Sequence, residues 1–233
     1  MLPGQTHRYR NWKMVGHWRI DLVESVAQSC DIYYYQLAVD LGIDRMHEIM
    51  TAFGIGRVTG IDVPGEKPGL MPSRDWKKRA FRRRADQVWF PGETVITGIG
   101  QGYFLSTLLQ LAAATAALAN GGTFYTPRLV DYLESRGERK VRSPIPQNGE
   151  TIPIVKPEHW DDVRTAMLHV TEGLRGTAKR IRTEHYRIAG KTGTEYNFTD
   201  NWFAGFTSEV TCVAWIGFDN RKKIFDGAFS SDT

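Results

Sequence analysis

Cysteine is scarce: the 233-residue chain has two, Cys30 and Cys212, far apart and outside any Cys-x-x-Cys arrangement. That excludes a disulfide framework and a zinc ribbon, and it leaves the redox compartment open. Long apolar runs are missing too. No stretch reaches 18 uninterrupted apolar residues, so none reads as a membrane-crossing helix. The N-terminal MLPGQTHRYRNWK lacks the apolar centre of a secretion signal, so an address outside the cytoplasm has to come from elsewhere. There is no internal repeat and no low-complexity tract. What the chain does have, 41% hydrophobic, 24% charged and 12% aromatic residues, is the make-up of a packed globular core and excludes a disordered tail.

The net charge of +4 is concentrated in RDWKKRAFRRR, residues 74 to 84, where seven of eleven residues are basic. No nucleic-acid-binding pattern accompanies this run, so nucleic acid is not expected as a partner. A solvated face is the plain reading, and acidic lipid headgroups are the better functional one. Upstream, LVESVAQSCDIYYYQLAVDLG has helical periodicity interrupted at Ser29-Cys30-Asp31, which predicts two helices joined by a turn that presents a serine hydroxyl. Ser29 or Asp31 is expected to cap the second helix, Gly42 to stop it, and Asp44 to cap a third. Residues 54 to 74 are a Gly/Pro-rich loop. The Ala/Leu segment up to Asn120-Gly121-Gly122 is a buried helix, and EHWDDVRTAMLHVTEG is an amphipathic one. TFYTPRLVDYLES alternates like a strand, and 135 to 157 reads as a hairpin or loop. From residue 186 the pattern changes to three short strands, an antiparallel meander with turns at Thr199-Asp200-Asn201 and Thr207-Ser208-Glu209.

Within the meander, GKTGT (190 to 194) admits two chemistries. A phosphate loop needs glycine five residues before Gly190, where His185 stands, and a helix after the lysine, where a strand hairpin follows. The phosphate reading fails. The alternative is a strand bearing Lys191 with Thr192 and Thr194. Period-two geometry sends Lys191 and Gly193 to one side and the threonines to the other, and Gly193 lets an extended peptide lie close against the backbone.

Lys191-Thr192-Gly193-Thr194, with Ser29-Cys30-Asp31 about 160 residues upstream, resembles the K-T-G and S-x-N motifs of the penicillin-binding, serine acyl-transferase family that includes β-lactamases. The blocks RNWKMVGH, ESVAQSCDIYYYQLAVDLGIDR, FGIGRVTGIDVPGE, MPSRDWKKRAF, GIGQGYFLSTLLQLA and NGGTFYTPRLV look like consecutive pieces of the elongation-type class B penicillin-binding protein 2 group, over residues 6 to 130. The stretch after 186 is more similar to class A members. The resemblance implies an α/β (α+β) transpeptidase fold: an antiparallel sheet flanked by helices, with an all-helical subdomain. Residues 1–130 would form the mainly helical part and 186–219 the meander. In this family a Ser-x-x-Lys serine attacks a D-Ala carbonyl and a second peptide's amine resolves the acyl-enzyme. No serine here has lysine three residues on. The expectation is a C-terminal part of the domain, truncated at the N-terminus, inactive by itself and exposing apolar surface that a missing helix would cover.

By the same resemblance Ser29 relays a proton to the leaving group, Asp31 stands at the S-x-N position, and Lys191 supplies positive charge beside Ser29. Thr192 and Thr194 hold the substrate carboxylate, and the Thr194 N–H forms half of an oxyanion hole beside Gly193. His17 and Cys30 fall on zinc-ligand positions of some members of the group. Asn11 replaces an aspartate there and another ligand has no counterpart, so no cofactor is expected and zinc is an incomplete alternative. Implied partners are peptidoglycan stem peptides, β-lactams and membrane proteins of the elongation complex, at the periplasmic face of the bacterial inner membrane. A non-catalytic module that binds cell-wall peptide or partner proteins through the same strand edge is the competing reading.

Overall fold

The structure is a computed structural model, and it describes residues 7–136, 142–153, 156–195 and 197–230. Helix α1 (Leu22–Ala27) opens on Asp21, whose carboxylate accepts from the Glu24 N–H at 2.8 Å. Helix α2 (Asp31–Ala52) follows after one turn of chain. Gly42, at φ 73° and ψ 160°, is not helical, so the span is two helices that meet there, as the sequence suggests, and Ile43 and Met46 of the second return to the core. The first starts on Cys30, which makes no side-chain cap. Ser29 and Asp31 therefore do not cap it, and the Ser29 hydroxyl is used elsewhere.

Helices α3 (Arg74–Ala80) and α4 (Pro91–Thr97) flank a 3-10 turn at Arg84–Gln87. Helix α5 (Leu108–Ala119) begins with a reciprocal cap between Thr107 and Gln110 and ends at Asn120. The alternating TFYTPRLVDYLES is not one strand. It divides into β1 (Thr123–Tyr125) and β2 (Tyr132–Glu134), which pair with β4 (Gly149–Thr151) and β3 (Arg142–Pro144) respectively. Pro127 offers no N–H to a ladder, and the Leu129 and Val130 amides shortly beyond it are taken by the Asp62 carboxylate at 2.7 and 2.8 Å. Parts of the 135 to 157 segment lie outside the described residues.

Helix α6 (Glu158–Glu172) precedes the meander β5 (Ala189–Thr194), β6 (Asp200–Phe206) and β7 (Thr211–Gly217), ordered β5-β6-β7 with β5 at the edge. Of the residues expected in the first turn, Asp200 and Asn201 are strand, because β6 already begins at Asp200. The Asp200 carboxylate accepts from the Trp215 indole of β7 at 2.8 Å. Helices α1 and α6 pack together and on β5 through Val26, Ala166, Met167, Val170 and Ala189, while α5 lies against β6 and β7. A second core joins α2, α5 and the loops through Ile43, Ile55, Met71, Trp89 and Ala114. Between α2 and α4 an apolar groove of about 230 Å³ remains, walled by Leu37, Leu41, Ile49 and Phe104. Among the described residues no helix is long and apolar enough to cross a membrane.

Candidate active site

The α1–α2 turn is built to project one hydroxyl. Ser29 has φ 52°, in the left-handed region that costs a non-glycine residue about 1–2 kcal/mol. Several bonds hold it there. The Cys30 N–H donates to the Ser25 carbonyl at 2.9 Å, and the Trp12 indole N–H lies 3.1 Å from the Gln28 carbonyl and 3.0 Å from that of Ser29. Asn11 accepts from the Asp31 N–H at 3.3 Å. Trp12→Phe removes the indole donor and part of the ring that meets His17 and Phe229, so a loss of at least about 1 kcal/mol is expected. It should show as a lower urea midpoint at unchanged slope; an unchanged midpoint would mean the brace carries no stability.

Across from this turn, β5 presents Lys191. Its ammonium donates to the Ser29 hydroxyl at 2.8 Å and to the Thr192 carbonyl at 2.8 Å, joining residues 162 positions apart. Burial draws the Lys191 pKa down to about 8, with the nearby Asp31 carboxylate pulling the other way. Asp31 is itself pushed up by burial, opposed by a hydrogen bond from the Trp12 backbone and by the Lys191 charge. An amine so poised can give a proton to a hydroxyl and take it back near neutral pH.

The two threonines are placed differently. Thr192 is buried, its hydroxyl 2.9 Å from that of Thr177, and the Thr177 N–H donates to the Ala27 carbonyl at 3.1 Å. This loop after α6 thereby ties α1 to β5. The Thr194 hydroxyl meets Ser230, accepting from its N–H at 3.0 Å and lying 2.9 Å from its hydroxyl. A Cβ added to Gly193 would make only an ordinary 3.4 Å contact with Trp202, so the strand backbone stays open at this point. Trp12, Thr177 and Ser230 escaped the sequence reading. None carries a motif, and each reaches the site from a segment with no local tie to it.

His17 and Cys30 both adjoin Asn11, whose amide nitrogen is 2.5 Å from His17 Nδ1 and 4.0 Å from the Cys30 sulfur. The other ring nitrogen, Nε2, is buried without a partner among the described residues. Asn11 brings a neutral amide where a charged ligand is needed, which leaves His17 and Cys30 short of a tetrahedral ligand set. These residues do not fit zinc. Among the described residues no group of three or more His, Cys, Asp or Glu side chains could hold a metal ion.

Helices packed against an antiparallel meander, with a lysine on its edge strand held to a serine at a helical turn, define the penicillin-recognising transpeptidase fold. The chain belongs to the penicillin-binding protein transpeptidase family, whose domain pattern matches residues 2–224. It is 36% identical over 234 residues to the peptidoglycan D,D-transpeptidase MrdA of Haemophilus influenzae, covering 96% of this chain and 35% of that protein. The crystal structure of Pseudomonas aeruginosa PBP2 in complex with WCK 5153 superposes with a TM-score of 0.79 at 39% identity, over 92% of this chain and 48% of that one. Helicobacter pylori PBP2, in its complex with MreC, superposes with a TM-score of 0.73 at 28% identity, over 91% and 38% of the two chains. The chain thus spans about a third of the length of the curated relatives it matches.

Proposed function

We propose that this chain supplies the peptide-docking part of a peptidoglycan D,D-transpeptidase, working at the periplasmic face of the inner membrane with membrane proteins of the elongation machinery as partners. The observation that carries the reading is the 2.8 Å bond between Lys191 and Ser29 inside a chain of the transpeptidase family. A stem peptide ending in D-Ala-D-Ala lies along the open edge of β5, with Gly193 against its backbone and its terminal carboxylate at Thr194, while Thr192, buried against Thr177, holds the strand in place. To receive the carboxylate, the Thr194 hydroxyl exchanges Ser230 for the substrate. Lys191 passes a proton through the Ser29 hydroxyl to the departing D-Ala nitrogen, and the buried charge of Asp31 keeps the amine from losing its proton too readily. Zinc takes no part. Residues 1–130 and 186–219 act as the helical and strand halves of one transpeptidase domain.

The attacking serine is the piece these 233 residues do not contain, since no serine has lysine three positions on. That observation favours a second reading, a peptide-binding module without acyl chemistry of its own. Incubation of the chain with a fluorescent penicillin tests whether an attacking serine is present. The expected result is no covalent label on the denatured protein, and a labelled band would overturn the assignment of the nucleophile to a Ser-x-x-Lys serine.

A further inference from the structure

The basic run 74–84 is a built groove as well as a charged stretch. Arg74, Lys78, Arg84, Gln87, Val88 and Trp89 line an open hollow of about 480 Å³ between α3 and the chain that leads into α4. Its shape is set by bonds beneath it. The Lys77 ammonium reaches inward to the Val88 carbonyl at 2.7 Å and to the Glu93 carboxylate, Gln87 donates to the Phe81 carbonyl at 2.9 Å, and the buried Trp89 indole donates to Thr94 at 2.8 Å. The cations above this floor are only weakly committed. Arg74 and Lys78 pair with Asp44 and Asp75 at 3.1 Å on the exposed surface, where such pairs hold little energy and exchange readily. Arg82, Arg83 and Arg84 are exposed and have no carboxylate partner among the described residues.

We propose that this groove is a second binding site, for the carboxylate-bearing peptide chains of the cell-wall polymer; the identity of the polymer rests on the transpeptidase reading above. An open hollow with forked guanidinium donors at its rim suits discrete carboxylates on a chain. The half-exposed Val88 and Phe90 give the chain an apolar contact beside the charges. The position fits as well. Asp44, which holds Arg74, is thirteen residues from Asp31 across the break at Gly42, so the two lie at most about 45 Å apart, within reach of an extended polymer. One polymer can then engage the groove and the β5 edge together, and the groove raises its local concentration at the strand.

Co-sedimentation of the whole chain with purified, protein-free peptidoglycan tests the proposal, with native material compared against material whose free carboxylates have been converted to amides. Binding to native peptidoglycan should exceed binding to the amidated form by about tenfold, and K78E/R84E should lose about tenfold on the native form, the scale of one charge-assisted contact. K78Q/R84Q, which removes charge without repulsion, should lose less, and K222E, on another exposed segment, should lose nothing. Equal binding by wild type and both double variants would overturn the groove. So would absence of any sedimentation, or binding that follows phosphatidylglycerol vesicles and not peptidoglycan, which would make the surface a membrane contact. Failure of the groove alone leaves the reading of the β5 site standing, because that reading is tested with penicillin and at Lys191.

Discussion

Lys77→Met lowers the stability of the chain by about 3–5 kcal/mol, the scale for breaking a buried ion pair by removing one partner. Lys77 is 2% exposed although six basic neighbours surround it in sequence. Its ammonium is paired with Glu93, donates to the Val88 carbonyl, and sits 5.0 to 5.9 Å from the ring centres of Phe81, Trp89, Phe90 and Tyr103. Methionine fills the volume but strands the Glu93 carboxylate, which also caps α4 through the Phe90 N–H at 2.8 Å. In K77M/E93Q the cap has an acceptor and no charge is left alone, so most of the loss should return. Against a total of about 5–15 kcal/mol for a domain, urea unfolding will resolve both changes. A single-variant loss below about 1 kcal/mol, or a double variant no better than the single, would show that the pair is solvated and does not hold the groove.

Lys191→Met is expected to weaken binding of a peptide ending in D-Ala-D-Ala by about tenfold, because the positive charge beside Ser29 that attracts the peptide's carboxylate is lost, as read by calorimetric titration. For the wild type the affinity should fall as pH rises through about 8, where the ammonium loses its proton. Stability moves the other way. The unfolded lysine keeps its proton up to its ordinary value of 10.5 and the folded one only to about 8. Between those values the unfolded chain therefore binds more protons, and stability rises with pH, whereas below pH 8 the full penalty of the buried charge persists. The methionine variant should lack that rise. A wild-type curve that is flat or falling over this window, or an unchanged peptide affinity in the variant, would remove Lys191 from the role assigned to it.

Much of the scaffold was legible because its causes are local. Thr107 and Gln110 announce the start of α5 within one turn, and the strand alternation after 186 gives the meander its register of apolar faces. His185 rules out a phosphate loop by its position alone. The errors have local causes as well. Ser29 and Asp31 have the chemistry of caps, yet helix α2 opens on Cys30 because the serine is turned toward Lys191. The alternation of TFYTPRLVDYLES was real but was cut where Pro127 leaves a gap in the ladder and Asp62, distant in sequence, takes the Leu129 and Val130 amides.

The amino-acid sequence by itself determined the helices, the edge strand with its lysine and threonines, and membership of a family whose motifs those residues spell. Only the tertiary structure decided which residues share a point in space. It set Lys191 against Ser29, braced the serine with Trp12, gave Thr194 to Ser230, and turned one lysine of a charge run inward while its neighbours line an open groove. The division has a physical reason. Caps, turns and periodicity act over a few residues. The cost of burying a charge or holding a strained hydroxyl is met by partners that the chain brings together only when the whole core closes.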